Sequence, residues 1–208
     1  YLHGGGYLLG PFGTEWSAMR KIAAGAGSDF AMLMYPRAPE HPATTTLEVA
    51  CAAYDELTMR YPSRQVVLAG TSAGGGLALA LMAQLRDDGG PVPRCAVLVS
   101  PGVDMPLRDD ASPYEDADAL LSIAHVRSAG EIYARSLGVD HPTVSPAFGE
   151  LAGLPPLYVF VGGAELLRPS IEVFARRAKE AGTKVQLIVG ENQQHTWPIA
   201  PTPGGREA

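Results

Sequence analysis

The chain has 208 residues, 46% hydrophobic and 18% charged, a globular composition that argues against disorder and suffices for one domain with a sizeable core. Its formal net charge of −6 lacks the basic footprint that nucleic-acid phosphates need, and leaves small neutral or apolar molecules as partners. The two cysteines, Cys51 and Cys95, each lie in an apolar run and read as core packing rather than a disulfide framework; this fits a reducing, cytoplasmic location.

In chain order, the first feature is "YLHGGGYLLG", where His3 precedes Gly4, Gly5 and Gly6. Such a run gives up backbone order for a tight turn or a close approach. Short continuous apolar runs follow at 29–36, 65–70, 95–100, 156–162 and 184–190, as expected of strands buried on both faces. Helical spacing of apolar residues falls at 14–25, 44–60, 74–87 and 170–181. Strand alternating with helix predicts an α/β fold with a mostly parallel sheet flanked by helices. The segment 103–155 interrupts that alternation. It begins acidic ("RDDASPYEDADA"), continues into a helix-like stretch, and is placed to cover a site as a cap-like insertion. The tail "APTPGGREA" reads as disordered or incomplete. No apolar stretch reaches the length of a membrane span.

The segment "VVLAGTSAGGGLALALMAQL" runs strand, sharp turn, helix, and Gly70-Thr71-Ser72-Ala73-Gly74 at its centre satisfies G-x-S-x-G. A nucleophilic serine on a strained strand-to-helix turn needs small neighbours for the turn to close. The helix that follows points its N-terminal amides at charge forming beside Ser72. No lysine follows the glycines, which disfavours a phosphate loop. Acyl transfer places negative charge on a carbonyl oxygen, and the His3–Gly6 loop is suited to supply amides that receive it.

With these residues in view, the chain resembles the bacterial hormone-sensitive-lipase-like esterases of the α/β-hydrolase fold. "HGGGY" matches their oxyanion loop and "GTSAGG" their nucleophile elbow, while "YPRAPEHP", "SPGVDM", "SPAFGELAGLPPLYVFVGGAELL" and "QQHTW" follow in family order. The resemblance implies hydrolysis of short-acyl esters beneath a cap. Thr71 stands where the family more often has aspartate, Gly76 where it usually has asparagine, and Pro169 where a second acidic residue is common.

In this fold the triad runs Ser, acid, His. Of the five histidines, only His125, His141 and His195 follow Ser72. His195 lies just after the last apolar run and in the family's histidine position, whereas His125 and His141 fall in the insertion. His3 is expected to brace the glycine loop. No aspartate follows Asp140, so a local acid must be glutamate; Glu165 stands one residue after "PLYVFVGG", and Glu191 is the fallback. The expected machinery is Ser72 as nucleophile, His195 as base and Glu165 as its orienter, with the amides of Gly5, Gly6 and Ala73 as the oxyanion hole. It calls for no cofactor and no metal. Lactone or amide hydrolysis by the same triad, and a non-catalytic ligand-binding role, remain open at this point. The resemblance places strands and cap helices ahead of the glycine loop, so the chain is expected to be a fragment of a longer reading frame whose full-length form has room for a homodimer. In the family's sheet the strand leading into the loop lies between those of 29–36 and 65–70.

Overall fold

A computed structural model describes residues 1–201, 204 and 205. The expectation for the tail lies, at 202, 203 and 206–208, outside the described residues. Four strands, β1 (Val67–Thr71), β2 (Cys95–Val99), β3 (Leu157–Gly162) and β4 (Val185–Gly190), form a parallel sheet in the order β1-β2-β3-β4. Val67 pairs with Cys95, Ala96 with Leu157, and Leu157 with Val185. Around them run α1 (Gly13–Ala26), α2 (Ala43–Arg60), α3 (Ala73–Asp87), α4 (Ile123–Ala134) and α5 (Arg168–Glu180). The four strands and helices α1, α2, α3 and α5 agree with the sequence reading to within two residues at each end, because the strand runs are continuously apolar and the helices repeat apolar residues at helical spacing. Helix α4 ends at Ala134, four residues short of the end of "EIYARSLG", the stretch that suggested it.

The run 29–36 is the exception. It forms no strand, and only Leu33 pairs, through an isolated parallel bridge to Leu2. A run of apolar residues becomes a strand only when a ladder satisfies its amides and carbonyls. Here, among the described residues, Tyr1 and Leu2 are the neighbours that run alongside, Pro36 has no N–H to give, and Met34 stays exposed. Leu2 also bridges to Gly70, donating its amide to the Ala69 carbonyl at 2.8 Å and accepting from the Thr71 amide at 3.2 Å. The residue leading into the glycine loop thus stands between Leu33 and β1, the interior place expected for it.

The core gathers on α3. Every residue from Ala73 to Met82 is buried, as a helix apolar all round requires. α3 packs on β1 and β2 on one side and on α2 on the other, while α5 covers β3 and β4 with Ile171, Phe174, Ala175 and Ala178. Pro169 sits in the first turn of α5, where its missing N–H costs nothing. Between β2 and β3, the segment 103–155 contributes α4, whose start Ser122 caps by accepting from the His125 amide.

At Gly74 the N-terminus of α3 meets backbone. A Cβ there would lie 2.1 Å from the Leu2 carbonyl oxygen and 2.4 Å from that of His3. Only a residue without a side chain lets the helix end approach the glycine loop this closely. Gly74→Ala is therefore expected to cost about 3 kcal/mol of unfolding free energy, the upper part of the range for overpacking, and urea denaturation reads it directly.

Candidate active site

Ser72 joins β1 to α3 with φ 50° and ψ −120°, a strained conformation for a side-chain-bearing residue. Bonds on both sides hold it. Its amide donates to the Val99 carbonyl at 2.9 Å, and its carbonyl accepts from the amides of Gly75, Gly76 and Gly102 at 3.0, 3.2 and 2.8 Å. Gly76, the departure from the family's asparagine, faces the Gly102 carbonyl and the Tyr7 hydroxyl, which fill the space a side chain would need.

His195 lies in the loop after β4, and its Nε2 is 3.0 Å from Ser72 Oγ. Glu165 lies in the turn between β3 and α5, fully buried, with Oε1 at 3.5 Å from His195 Nδ1. Both of these atoms are buried and neither has another polar partner, so they face each other. This separation is in ion-pair range and longer than an ideal N–H···O bond. A proton on Nδ1, directed at the carboxylate, leaves Nε2 free to accept from the serine. Glu165 Oε2 is held separately, accepting from Ser100 Oγ at 2.6 Å and the Gly162 amide at 2.8 Å. Ser100 Oγ in turn accepts from the Thr196 amide at 3.0 Å. One hydroxyl thus ties the acid to the residue beside the histidine.

The glycine loop sits over the same end of α3. Gly5 and Gly6 have φ of 107° and 62°, and a Cβ on Gly5 would strike the Leu9 carbonyl at 2.7 Å. Among the described residues, no internal acceptor takes the amides of Gly5 or Gly6. Ala73, the first residue of α3, has no intrahelical acceptor for its own amide. His3 is buried and stacks on Tyr35 with ring centroids 4.1 Å apart. Its Nδ1 lies 2.7 Å from the Gly4 carbonyl, which only accepts, so the proton is on Nδ1. Burial, the largest influence, pushes its pKa down and so favours the neutral ring. His3 therefore braces the loop, as expected. Tyr7, also buried, stacks on Tyr133 of α4 at 3.7 Å.

The remaining candidates lie elsewhere. Glu191 is exposed, as are His41, His125 and His141. Cys51 and Cys95 are free, and burial raises both thiols above their ordinary pKa. Among the described residues, no group of three or more His, Cys, Asp and Glu is gathered closely enough to hold a metal ion.

Sequence reasoning missed several supporting residues. Ser100 ends an apolar run at the carboxyl edge of the sheet, where open α/β sheets gather functional groups, and that position was its signal. Asp118, buried within the acidic stretch, accepts from the Leu166 amide at 2.7 Å and from the amides of Leu120 and Leu121. Gln194 donates to the Ala117 carbonyl and accepts from the Ala119 amide. The insertion is thus pinned both to the turn carrying Glu165 and to the loop carrying His195. With Pro169 in place of an acidic residue, the polar support around Glu165 comes from Ser100, Gly162 and, through Leu166, Asp118.

A family model described as the alpha/beta hydrolase fold matches residues 1–199. The chain belongs to the α/β-hydrolase family, in its esterase- and lipase-type part. It is 37% identical over 214 residues to an acetyl-hydrolase of Streptomyces hygroscopicus, covering 100% of this chain and 71% of that protein. It is 31% identical over 190 residues to an esterase of Acinetobacter venetianus, covering 90% of this chain and 63% of that protein. A solved esterase from the bacterial hormone-sensitive lipase family superposes with a TM-score of 0.93 at 34% identity, over 99% of this chain and 72% of that one. A hormone-sensitive lipase from a metagenome library superposes with a TM-score of 0.91 at 32% identity, over 96% of this chain and 69% of that one.

Ser100→Ala strips one donor from the buried Glu165 Oε2 and leaves the half-buried Thr196 amide without its acceptor. The expected loss is about 1–3 kcal/mol of unfolding free energy, measured by chemical denaturation against the parent protein.

Proposed function

We infer that the protein hydrolyses carboxylic esters of short to medium acyl chain through Ser72, His195 and Glu165, with the amides of Gly5, Gly6 and Ala73 as oxyanion hole. The observation that carries this reading is the 3.0 Å contact between Ser72 Oγ and His195 Nε2 at the N-terminus of α3, with Glu165 on the other ring nitrogen. A serine hydroxyl is a weak nucleophile until a base takes its proton. Ser72 Oγ attacks the ester carbonyl as its proton passes to His195 Nε2, and the imidazolium that forms is stabilised by Glu165. The carbonyl oxygen becomes an oxyanion beside the three unclaimed amides and the positive end of the α3 dipole. His195 returns the proton to the departing alcohol, leaving an acyl-Ser72. A water, deprotonated by the same histidine, then releases the carboxylic acid and restores the serine.

The acetyl-hydrolase and esterase relatives support an ester substrate with a small acyl group. Segment 103–155 supplies part of the cover over the site: Tyr133 of α4 stacks on Tyr7, and Ala129 lies 3.7 Å from where a Cβ on Gly6 would stand. The full-length protein is expected to turn over p-nitrophenyl acetate and butyrate, and Ser72→Ala to lower kcat by about 10⁴-fold or more. Turnover at the parent rate in Ser72→Ala would remove the assignment. A panel of matched esters, lactones and amides, with esters expected to be fastest, sets the substrate class.

A further inference from the structure

Glu15 is 3% exposed, yet it is a carboxylate on α1, and the mechanism above gives it no part. Burying a carboxylate is costly unless its oxygens are well supplied with donors. One oxygen has an ordinary explanation: Oε2 accepts from the Phe12 amide at 2.9 Å and caps the start of its own helix. The other does not. Oε1 accepts from the Gly4 amide at 2.7 Å, from Thr71 Oγ1 at 2.6 Å and from Tyr1 Oη at 2.8 Å, none of them in α1. The two hydroxyls are 2.7 Å apart and share only two protons, so when both point at Glu15 none lies between them.

These donors come from the two segments that must be registered for ester hydrolysis. Gly4 directly precedes Gly5 and Gly6, and Thr71 directly precedes Ser72. The contact is close throughout: a Cβ on Gly4 would stand 3.4 Å from Thr71 Oγ1 and 3.5 Å from both Glu15 Oε1 and Ser72 Cβ. We propose that Glu15 is a positioning residue that locks the oxyanion loop to the nucleophile elbow through Thr71, setting the distance between the Gly5 and Gly6 amides and the carbon that Ser72 attacks. It rests on the reading of Ser72 as nucleophile and of those amides as oxyanion donors. The lock also gives Thr71 a role that another carboxylate at that position could not share, because two carboxylates within hydrogen-bond reach cannot both be ionised.

The test measures kcat and KM for p-nitrophenyl acetate, inhibition by phenylboronic acid and thermal unfolding in the full-length protein. Thr71→Val and Glu15→Gln should each lower kcat about 10- to 100-fold, the rate equivalent of one lost charge-assisted hydrogen bond. KM should change little, since the oxyanion forms only in the transition state. Boronate affinity should fall in parallel. Thr71→Ser, which keeps the hydroxyl, should retain kcat to within about 3-fold, a smaller effect than one lost bond. Thr71→Asp should be worse than Thr71→Val, and adding Glu15→Gln to it should recover rate. A purely structural role predicts lower thermal stability with kcat of the folded protein unchanged; that result, or equal damage from Thr71→Ser and Thr71→Val, overturns the proposal. Absence of Ser72-dependent turnover in the parent protein would instead overturn the esterase reading itself.

Discussion

The site depends on a single backbone constraint, the reversal at Ser72. A residue with φ 50° and ψ −120° does not persist unless its surroundings fix it, and here four backbone hydrogen bonds do so. That fixation demands close approach of three pieces of main chain. The end of β1, the start of α3 and the glycine loop meet where Gly74 leaves no room for a Cβ against the carbonyls of Leu2 and His3. The glycines on both sides of the contact follow from this crowding. So does the polarity of the site, because packing backbone against backbone leaves the amides of Gly5, Gly6 and Ala73 with no internal acceptor among the described residues.

Around that constraint, the structure uses polar side chains, most of them buried, as ties between loops rather than as isolated features. Ser100 links the turn of Glu165 to the loop of His195, and Glu15 links the glycine loop to the elbow. Asp118 and Gln194 fasten the insertion to the acid and histidine loops. Glu15, Ser100 and Asp118 are polar groups that would be expensive to bury alone, so removing one partner costs more than the bond itself contributes. Loops held this way keep reacting groups registered to within tenths of an ångström, which a loop fixed by apolar contact alone does less well.

Much of this was legible in the sequence. The strands at 67–71, 95–99, 157–162 and 185–190 and the long helices declared themselves through apolar runs and helical spacing. Ser72 was fixed by its place between a strand and a helix, and the geometry brings His195 and Glu165 to it rather than Glu191 or the other histidines. The run 29–36 misled because composition records a preference for burial, not whether a neighbour exists to complete a ladder; among the described residues, only Tyr1 and Leu2 run beside it, meeting Ala31 and Leu33. Glu15, Ser100 and Asp118 escaped notice for a different reason. Their partners lie 56, 65 and 48 residues away along the chain, and a polar contact of that range leaves no periodicity to read.

The central claim, that Ser72 is a nucleophile activated by His195, is most directly tested by treating the full-length protein with a fluorophosphonate and locating the adduct by peptide mass mapping. The account expects one stoichiometric adduct on Ser72, formed rapidly in the parent protein and far more slowly in His195→Ala. An adduct on another residue, or labelling of Ser72 at the same rate without the histidine, would contradict it.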